Sequence, residues 1–284
     1  MLHQRFGLIG HPIAHSLSPA LFKAGYDGKY PYELIETADF EEAYERFLEG
    51  FDGINVTAPF KELAFAKADI ISEECKAVKA TNLLIKTPEG VKAYNSDYLG
   101  VRMWLSEVVE GMKSVLPPWP QGEGPTPSEW EGFFSYPPLP PTAPLKVLIV
   151  GLGGAGKAAA AAADSLGMEV VRMNRTIRDD SMRPLSDFVR CFREADIVIY
   201  NIPSAIPGLN DLTDNDFNPG KPKFIMEANY KDPSFDETLR KRMKKANPMA
   251  EYTGGRTWLL YQALTGYQIF TGETPDLSRM SDVL

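Results

Sequence analysis

The sequence is poor in cysteine and has no long apolar run, and each shortage excludes a class of protein. Its 284 residues include only two cysteines, Cys75 and Cys191, far apart in the chain. That number excludes a disulfide framework and gives no zinc-site spacing. No apolar stretch approaches membrane-spanning length, and the first residues do not resemble a signal peptide. We therefore expect a cytoplasmic protein with no membrane partner and no bound metal.

The chain also lacks an excess of positive charge. Its formal net charge is −8, and no tract of lysine and arginine interrupts that balance, which argues against a nucleic-acid partner. A hydrophobic share of 44% with 24% charged residues is typical of a globular protein, and 284 residues suffice for two domains. We expect a monomer or homodimer that binds a small molecule, with any anionic ligand held by a local cluster of donors.

Proline is concentrated between residues 111 and 144, where ten of the 23 prolines lie together with several aromatic residues. So much proline excludes a regular helix or a central strand. We interpret this segment as an insertion between two domains. A proline-rich ligand for a partner domain is the alternative interpretation.

The stretch from Asn55 to Lys61 follows a predicted strand at 51–54 and precedes a predicted helix at 62–68. Open α/β sheets place their ligand sites at the carboxyl ends of the strands. Lys61 would be an amine held at that edge, where it can transfer a proton. Alternatively, the stretch is a strand–helix junction with an ordinary surface lysine.

Two further polar groups have both a functional and a structural interpretation. Ser16 and Ser18 are two residues apart, so in an extended segment their hydroxyls point the same way, as a carboxylate-bearing or polyhydroxylated ligand requires. Ser18 and Pro19 also match the N-cap and first residue of a helix. Asp97 precedes a long predicted helix, where it either caps that helix or forms a catalytic pair with Lys61.

A glycine-rich loop begins the second half of the chain. The apolar run 145–150 predicts a buried parallel strand, and Gly151, Gly153 and Gly156 follow it before an alanine-rich helix. These glycines allow a tight turn, a close approach to a pyrophosphate and close packing of the helix on the sheet. The pattern predicts a dinucleotide-binding Rossmann domain, with further strands at 169–173, 196–200 and 224–227.

The residues after strand 169–173 indicate which dinucleotide binds. NAD-preferring domains usually have a carboxylate there, whereas this chain has Asn174, Arg175 and Thr176, with Arg178 close behind. A guanidinium binds a 2′-phosphate in a planar, bidentate way. NADP is therefore favoured over NAD. The alternative is a pair of exposed arginines without a ligand.

Taken in this order, the motifs resemble the shikimate dehydrogenase family over most of the chain outside the proline-rich segment. The resemblance rests on the glycine loop, on Arg175 and on these residues: Ser16, Ser18, Asn55, Thr57, Lys61, Asn82, Asp97, Asn174, Thr176, Tyr230 and Gln262. It implies an α/β protein with a substrate domain at 1–99 and 252–284. It also implies an NADP-binding Rossmann domain at 100–251, containing the insertion at about 111–144, and a C-terminal helix that returns to the substrate domain.

The resemblance implies that 3-dehydroshikimate is reversibly reduced to shikimate in aromatic amino-acid biosynthesis. Lys61 would donate the proton and pair with Asp97, and Ser16 and Ser18 would bind the substrate carboxylate. The other substrate-binding residues would be Asn55, Thr57, Asn82, Tyr230 and Gln262. The cofactor-binding residues would be Gly151, Gly153, Gly154, Ala155, Gly156, Asn174, Arg175, Thr176, Arg178, Asn201 and Gly255.

The sequence departs from the family pattern at three places. The family usually has Asn-Ala-Thr-Ser where this chain has 201–204, Asn-Ile-Pro-Ser. Thr257 and Trp258 replace the Gly-Met pair that contacts the nicotinamide, and 79–82, Lys-Ala-Thr-Asn, replaces Gly-Ala-Val-Asn. The alternatives are a quinate/shikimate or related enzyme on another cyclic polyol acid, a ligand sensor without turnover, and a proline-rich interaction protein.

Replacing Arg175 with aspartate should shift the preference from NADP toward NAD, because a carboxylate repels the 2′-phosphate. The ratio of kcat/KM for the two cofactors should change about tenfold or more, since a hydrogen bond to a charged group contributes roughly 1.5–3 kcal/mol. Steady-state rates with each cofactor measure this ratio. An unchanged ratio would show that Arg175 does not contact the 2′-phosphate.

Overall fold

The computed structural model describes residues 4–111 and 144–284. The predicted proline-rich insertion falls on residues 112–143 and so lies outside the described residues. The described chain divides into two compact units, one formed by 4–100 and 260–284 and the other by 101–111 and 144–259. Each unit is built on a six-stranded sheet.

The sheet of the first unit is mixed, with the strand order β2-β1-β3-β5-β6-β4. β1 pairs in parallel with β2 and β3, whereas β5 pairs antiparallel with β3 and β6. Because β1 and β3 are parallel, their carboxyl ends meet at one edge of the sheet. The strands are β1 (Phe6–Gly10), β2 (Tyr32–Glu36), β3 (Gly53–Val56), β4 (Ile70–Ile71), β5 (Leu83–Thr87) and β6 (Gly90–Tyr94).

The helices that follow these strands bury apolar faces on the sheet. In the second helix, Phe40, Ala43 and Phe47 pack in one buried cluster with Ile54 and Val56 of β3. Asp39 caps this helix by accepting a hydrogen bond from the backbone N–H of residue 41 at 2.9 Å. The helices are α1 (Ser18–Gly25), α2 (Phe40–Gly50), α3 (Lys61–Lys67), α4 (Glu73–Val78) and α5 (Ser96–Gly111).

The sheet of the second unit is parallel throughout, with the strand order β12-β11-β10-β7-β8-β9. Numbered from its own first strand, this order is 6-5-4-1-2-3, which is that of a Rossmann domain. Its order reverses between β7 and β10, where such sheets bind their ligands. The strands are β7 (Lys146–Val150), β8 (Glu169–Met173), β9 (Met182–Arg183), β10 (Ile197–Tyr200), β11 (Lys223–Glu227) and β12 (Ala250–Thr253).

Small and aromatic side chains pack the helices of the second unit against its sheet. Buried alanines on the first of these helices allow close approach, and Phe188 and Phe192 pack in one cluster with Tyr200 and Phe235. The helices are α6 (Gly154–Ser165), α7 (Phe188–Glu194) and α8 (Glu237–Ala246), and short 3-10 turns occupy Leu185–Asp187, Pro207–Leu209 and Asp214–Phe217.

The C-terminal segment forms α9 (Gly255–Thr271) and α10 (Leu277–Ser281). Phe270 stacks on Phe6 of β1 with ring centroids 5.0 Å apart, and Tyr267 meets Phe22 of α1 edge-on at 4.8 Å. These rings complete the aromatic core of the first unit. The predicted return of the C-terminal helix to this unit, and the α/β fold class, are confirmed.

Several predicted boundaries differ from the structure. The strand at 169–173 was predicted with its observed bounds, but the strand predicted at 51–54 is β3, which runs from Gly53 to Val56 and therefore includes Asn55. Ser18 was wrong as an N-cap, because Leu17 holds that position and Ser18 already belongs to α1. β4 and β9 have two residues each, too few to show a periodic pattern, and β12 and α10 were also not predicted.

Lys79 ends α4 in the left-handed region, with φ 58°, and its backbone N–H donates to the carbonyl of Cys75 at 2.7 Å. This conformation is unfavourable for a residue with a Cβ and suits glycine. Lys79→Gly should therefore raise the free energy of unfolding by roughly 0.5–1 kcal/mol. Denaturant unfolding of the full chain measures this change.

The same substitution inside α4 provides the control. Lys76 is exposed in that helix, so Lys76→Gly should lower the free energy of unfolding by roughly 1 kcal/mol. If both glycine variants were destabilised alike, the left-handed conformation would not explain the effect at Lys79.

Candidate active site

Lys61 and Asp97 form an ion pair in the first unit. Lys61 is the first residue of α3, Asp97 lies in the first turn of α5, and Nζ is 2.5 Å from Oδ2. The side chains are only 23% and 13% exposed. A helix N-terminus favours a carboxylate and disfavours an ammonium group. Asp97 is thus favourably placed in its own helix, and it offsets the unfavourable position of the Lys61 ammonium.

The backbone around Lys61 is held from two sides. In the turn after β3, the N–H of Thr57 donates to the carbonyl of Ile9 at 3.0 Å, and that of Phe60 donates to Thr57 at 2.9 Å. The carbonyl of Lys61 accepts from the N–H of Thr81 at 3.1 Å. The ammonium group therefore starts from a fixed backbone position at the carboxyl edge of the sheet.

Asn95, and not Asp97, caps α5. Its Oδ1 accepts from the backbone N–H of Tyr98 at 3.0 Å, and its Nδ2 donates to the carbonyl of Ala80 at 2.9 Å. Because Asn95 accepts from an N–H group in the first turn of α5, the carboxylate of Asp97 is not needed as a cap and is available to Lys61. The structure thus shows Asp97 in an ion pair with Lys61 and not as the cap of α5; a catalytic role for the pair stays a prediction.

A buried carboxyl group lies directly behind this cap. Glu74 is 3% exposed, and its Oε1 accepts from the backbone N–H of Asn95 at 3.2 Å and from the hydroxyl of Ser72 at 2.6 Å. Its Oε2 has no hydrogen-bond partner in the described part of the chain. Burial raises the pKa of Glu74 above its ordinary value. Glu74 thus supports the segment that carries Asp97.

Asn82 links three elements of the first unit. Its Oδ1 accepts from the backbone N–H of Ser96 at 2.7 Å, and its Nδ2 lies 3.0 Å from the hydroxyl of Ser96 and 3.4 Å from Oε1 of Gln262. Gly100 lets α5 approach α9, because a Cβ there would lie 2.7 Å from the backbone nitrogen of Gln262. Asn82 and Gln262 are therefore neighbours, although they lie 180 positions apart in the sequence.

Asn55 is bound within β3, whereas Thr57 keeps its hydroxyl open. The Oδ1 of Asn55 accepts from the hydroxyl of Tyr32 at 2.7 Å, and its Nδ2 donates to the carbonyl of Asn82 at 3.3 Å. The hydroxyl of Thr57 makes no hydrogen bond to residues 4–111 or 144–284. Thr57 is thus free to contact a ligand, and Asn55 mainly orders its surroundings.

Ser16 and Ser18 lie together before and at the start of α1. Their hydroxyl oxygens are 3.1 Å apart, and the backbone N–H of Ser18 donates to Oγ of Ser16 at 3.2 Å. Two tyrosines that the sequence interpretation missed, Tyr32 and Tyr267, interact with Ser18. Their core-like sequence pattern gave no signal of this contact.

The glycine loop of the second unit fits a dinucleotide. Gly151 has φ 90°, and a Cβ on Gly156 would lie 1.9 Å from the carbonyl oxygen of Gly151, so both positions require glycine. A Cβ on Gly153 would meet no atom within 4 Å, which leaves open space in front of the loop. Gly154 and Ala155 begin α6, whose free N–H groups suit a phosphate.

The groups around this loop agree with that fit. Asn201 follows β10, and its Oδ1 is buried without a hydrogen-bond partner in the described residues, so it can accept from a ligand. Asn174 shapes the loop, since its Oδ1 lies 3.5 Å from the backbone nitrogen of Leu152. Three of the expected cofactor-binding residues are exposed after β8: Arg175, Thr176 and Arg178.

Gly255, Tyr230 and Trp258 lie outside the glycine loop of the second unit. Gly255 starts α9, and a Cβ there would lie 2.2 Å from the carbonyl oxygen of Ala228. Close packing therefore already requires a glycine at this position. Tyr230 is half-buried in the segment after β11, and Trp258 is 4% exposed.

Thr81 replaces a valine of the family pattern, and its hydroxyl donates to the carbonyl of Tyr94 at 2.6 Å. The replacement of valine by threonine at this position therefore adds a hydrogen bond to the backbone of β6.

Two kinds of feature are absent from the described residues. Among them, no three histidine, cysteine, aspartate or glutamate side chains are grouped so that they hold a metal ion. No helix within 4–111 or 144–284 combines the length and apolar character needed to cross a bilayer.

Comparison with known proteins matches two stretches of the chain to domain families. Residues 8–84 match the shikimate dehydrogenase substrate binding domain, and residues 134–220 match the NAD binding domain of D-isomer specific 2-hydroxyacid dehydrogenases. The folds and the site geometry thus define a two-domain α/β protein with an N-terminal substrate-binding domain and a Rossmann NAD(P)-binding domain.

The individual relatives specify the family. A shikimate dehydrogenase (NADP(+)) of Acidiphilium cryptum is 39% identical over 100 residues, which are 33% of this chain and 36% of that relative. A shikimate dehydrogenase (NADP(+)) of Leptospira interrogans is 27% identical over 95% of this chain and 90% of its own length. The matched substrate-binding domain and these relatives point to the shikimate dehydrogenase family.

A solved structure of a similar protein aligns with most of the chain. The shikimate 5-dehydrogenase of Thermus thermophilus, in complex with NADP(H) and shikimate, is 26% identical with a TM-score of 0.68. The alignment covers 99% of this chain and 98% of that one. The family resemblance predicted from the sequence is confirmed.

Replacing Glu74 with glutamine should make stability less dependent on pH. Because the pKa of Glu74 in the folded protein exceeds the ordinary 4.5, the folded state binds more protons, and its stability falls as pH rises from 4.5 through the raised pKa. Glutamine keeps the acceptor for Asn95 and does not ionise. The gain in stability of Glu74→Gln over the natural chain should therefore increase from acidic to neutral pH.

Denaturant unfolding at several pH values measures this gain. Glu73→Gln is the control, because the Glu73 side chain is 82% exposed and pairs with Lys76 on the surface. A difference between Glu74→Gln and the natural chain that stays constant with pH would contradict the burial argument.

Proposed function

We propose that this protein catalyses the NADP-dependent, reversible reduction of 3-dehydroshikimate to shikimate, a step of aromatic amino-acid biosynthesis. The Lys61–Asp97 pair carries the proposal, because it places a partly shielded proton donor at the carboxyl edge of the first sheet. The relatives from Acidiphilium and Leptospira bear the name shikimate dehydrogenase (NADP(+)), and the Thermus structure contains shikimate and NADP(H). Both observations support the same reaction.

NADPH, when bound, supplies the hydride that reduces the carbonyl carbon. Its pyrophosphate would lie against Gly151, Gly153 and Gly156 and the start of α6, and its 2′-phosphate against Arg175 and Arg178. Other residues of the second unit in this proposed cofactor site are Gly154, Ala155, Asn174, Thr176, Asn201 and Gly255.

Lys61 would donate the proton to the oxygen on which negative charge develops. An ammonium group within reach of that oxygen both stabilises the charge and delivers the proton, a contribution of roughly 10²–10⁴-fold in rate. Asp97 keeps the lysine side chain oriented, and it balances the positive charge while the site is empty. In the reverse direction the neutral amine takes the proton from the substrate hydroxyl.

The substrate groups would be shared among the polar side chains of the first unit. Ser16 and Ser18 would bind the carboxylate, whereas the open hydroxyl of Thr57 would bind a ring hydroxyl. The remaining members of this proposed set in the first unit are Asn55, Asn82 and Gln262. The tight hydrogen bonds of Asn55 and Asn82 favour a role in orienting their neighbours in addition to contact with substrate.

The two units of the chain would have separate roles. The substrate domain would correspond to the first unit, 4–100 and 260–284, and the NADP-binding domain to the second unit, 101–111 and 144–259. A cytoplasmic location is supported by Cys75 and Cys191, which are both free thiols.

A spectrophotometric assay with purified full chain tests the proposed function. Shikimate and quinate are each offered with NADP and with NAD, and reduction of the nucleotide is followed. Turnover highest with shikimate and NADP supports the proposal. Turnover highest with quinate and NAD would favour the related enzyme, and tight binding of shikimate without turnover would favour a sensor.

Lys61→Ala should lower kcat by roughly 10²–10⁴-fold while shikimate still binds, because the alanine removes the proton donor and leaves the serine pair intact. Lys67→Ala is the matched control, since Lys67 ends the same helix, is exposed and pairs with Glu41. Steady-state rates and calorimetric binding of shikimate give the two quantities. Near-normal kcat in Lys61→Ala would exclude Lys61 as the donor.

A further inference from the structure

The hydroxyl of Tyr267 is attached to the serine pair of the first unit. Tyr267 lies on α9 and is 2% exposed, and its hydroxyl donates to the backbone carbonyl of Ser18 at 3.1 Å. The ring is fixed by edge-on contact with Phe22 at 4.8 Å and with Tyr32 at 6.1 Å. A rigid phenol from the C-terminal helix thus anchors the first residue of α1.

The hydrogen-bond polarity around Ser18 follows from the groups present. A carbonyl oxygen can only accept, so the phenol proton of Tyr267 is committed to the backbone of Ser18. The phenol proton of Tyr32 is likewise committed, to Oδ1 of Asn55 at 2.7 Å. Neither phenol proton is therefore available to the Ser18 hydroxyl. That hydroxyl lies 3.1 Å from Oγ of Ser16, from which it can accept, and it keeps its own single proton for a ligand. A donor at this position suits a carboxylate.

The phenols remain in this state over the working pH range. Burial raises the pKa of the Tyr267 phenol above its ordinary value, and the hydrogen bond with Ser18 only partly opposes that effect. Tyr267 is therefore a neutral donor, and it adds no negative charge that would repel the carboxylate of the substrate.

We propose that Tyr267 is a positioning residue that holds Ser16 and Ser18 in the geometry that binds the carboxylate of the substrate. The inference rests on the proposed function and adds a residue to its substrate site. Tyr267 acts through Ser18: its hydroxyl fixes the backbone, the backbone fixes the Ser18 side chain, and the 3.1 Å contact between the serine hydroxyls fixes Ser16. Lys61 and Asp97 are not part of this chain of contacts.

Tyr267→Phe tests the proposal, because it removes the hydroxyl and keeps the ring in the aromatic core. KM for shikimate should rise about five- to tenfold, as expected for the loss of one hydrogen bond, and kcat should stay within about twofold. The methyl ester of shikimate, which lacks the negative charge, should show a much smaller rise in KM.

Tyr26→Phe is the matched control. The Tyr26 hydroxyl also belongs to the aromatic core, but it donates to the carbonyl of Glu273 at 3.0 Å and does not touch the serine pair. This variant should leave KM for shikimate unchanged. Thermal unfolding of both variants measures the structural effect separately from substrate binding.

Three results would overturn the inference: an unchanged KM for shikimate in Tyr267→Phe, an equal rise for shikimate and its methyl ester, or an equal rise in Tyr26→Phe. Each leaves the proposed function standing if the natural chain oxidises shikimate with NADP. If the natural chain neither binds nor oxidises shikimate, the proposed function fails and the inference fails with it.

Discussion

The contact between Lys61 and Asp97 is the interaction on which the chemistry of the first unit depends. Each partner sits at the N-terminus of a different helix, where the backbone favours one charge and disfavours the other. The carboxylate is therefore stable in its own helix, and the ammonium group is held there mainly by the carboxylate. Because both side chains are largely shielded from water, their attraction is screened less than that of an exposed pair, and the loss of either partner would leave a poorly solvated charge.

Buried polar groups keep this pair in place. Asn95 satisfies the end of α5, Glu74 supports Asn95 from behind, and Asn82 connects α5 to α9 through Ser96 and Gln262. These side chains bind mainly to backbone groups, so they fix the main chain and not only one another. A buried network of this kind specifies one arrangement because each unsatisfied group in it would be costly. For this reason Asn82, which was expected to contact the substrate, also has hydrogen-bond partners within the unit.

In the second unit, the shape of the glycine loop depends on positions that carry no side chain. At Gly151 and Gly156 a Cβ would not be accommodated, whereas at Gly153 the space in front of the loop is open. Within the described residues, the unpartnered oxygen of Asn201 lies at the end of β10, the strand adjacent to β7 where the order of the sheet reverses. The loop is therefore shaped for a ligand that supplies both phosphate groups and a hydrogen-bond donor.

The sequence by itself determined the elements whose causes are local. The apolar run before the glycine loop, the loop itself and the exposed arginines after β8 were recognisable because their patterns are contiguous. The bounds of β3 and α1 were not, since a shift of one or two residues there depends on pairing with β1 and on the Ser16 turn. Only the tertiary structure showed that the carboxyl group of Glu74 binds the backbone of Asn95 and that Tyr267 reaches Ser18 across 249 residues. Hydrogen bonds between distant segments leave no periodic trace in a sequence, because their partners are chosen by the way the sheets and helices pack.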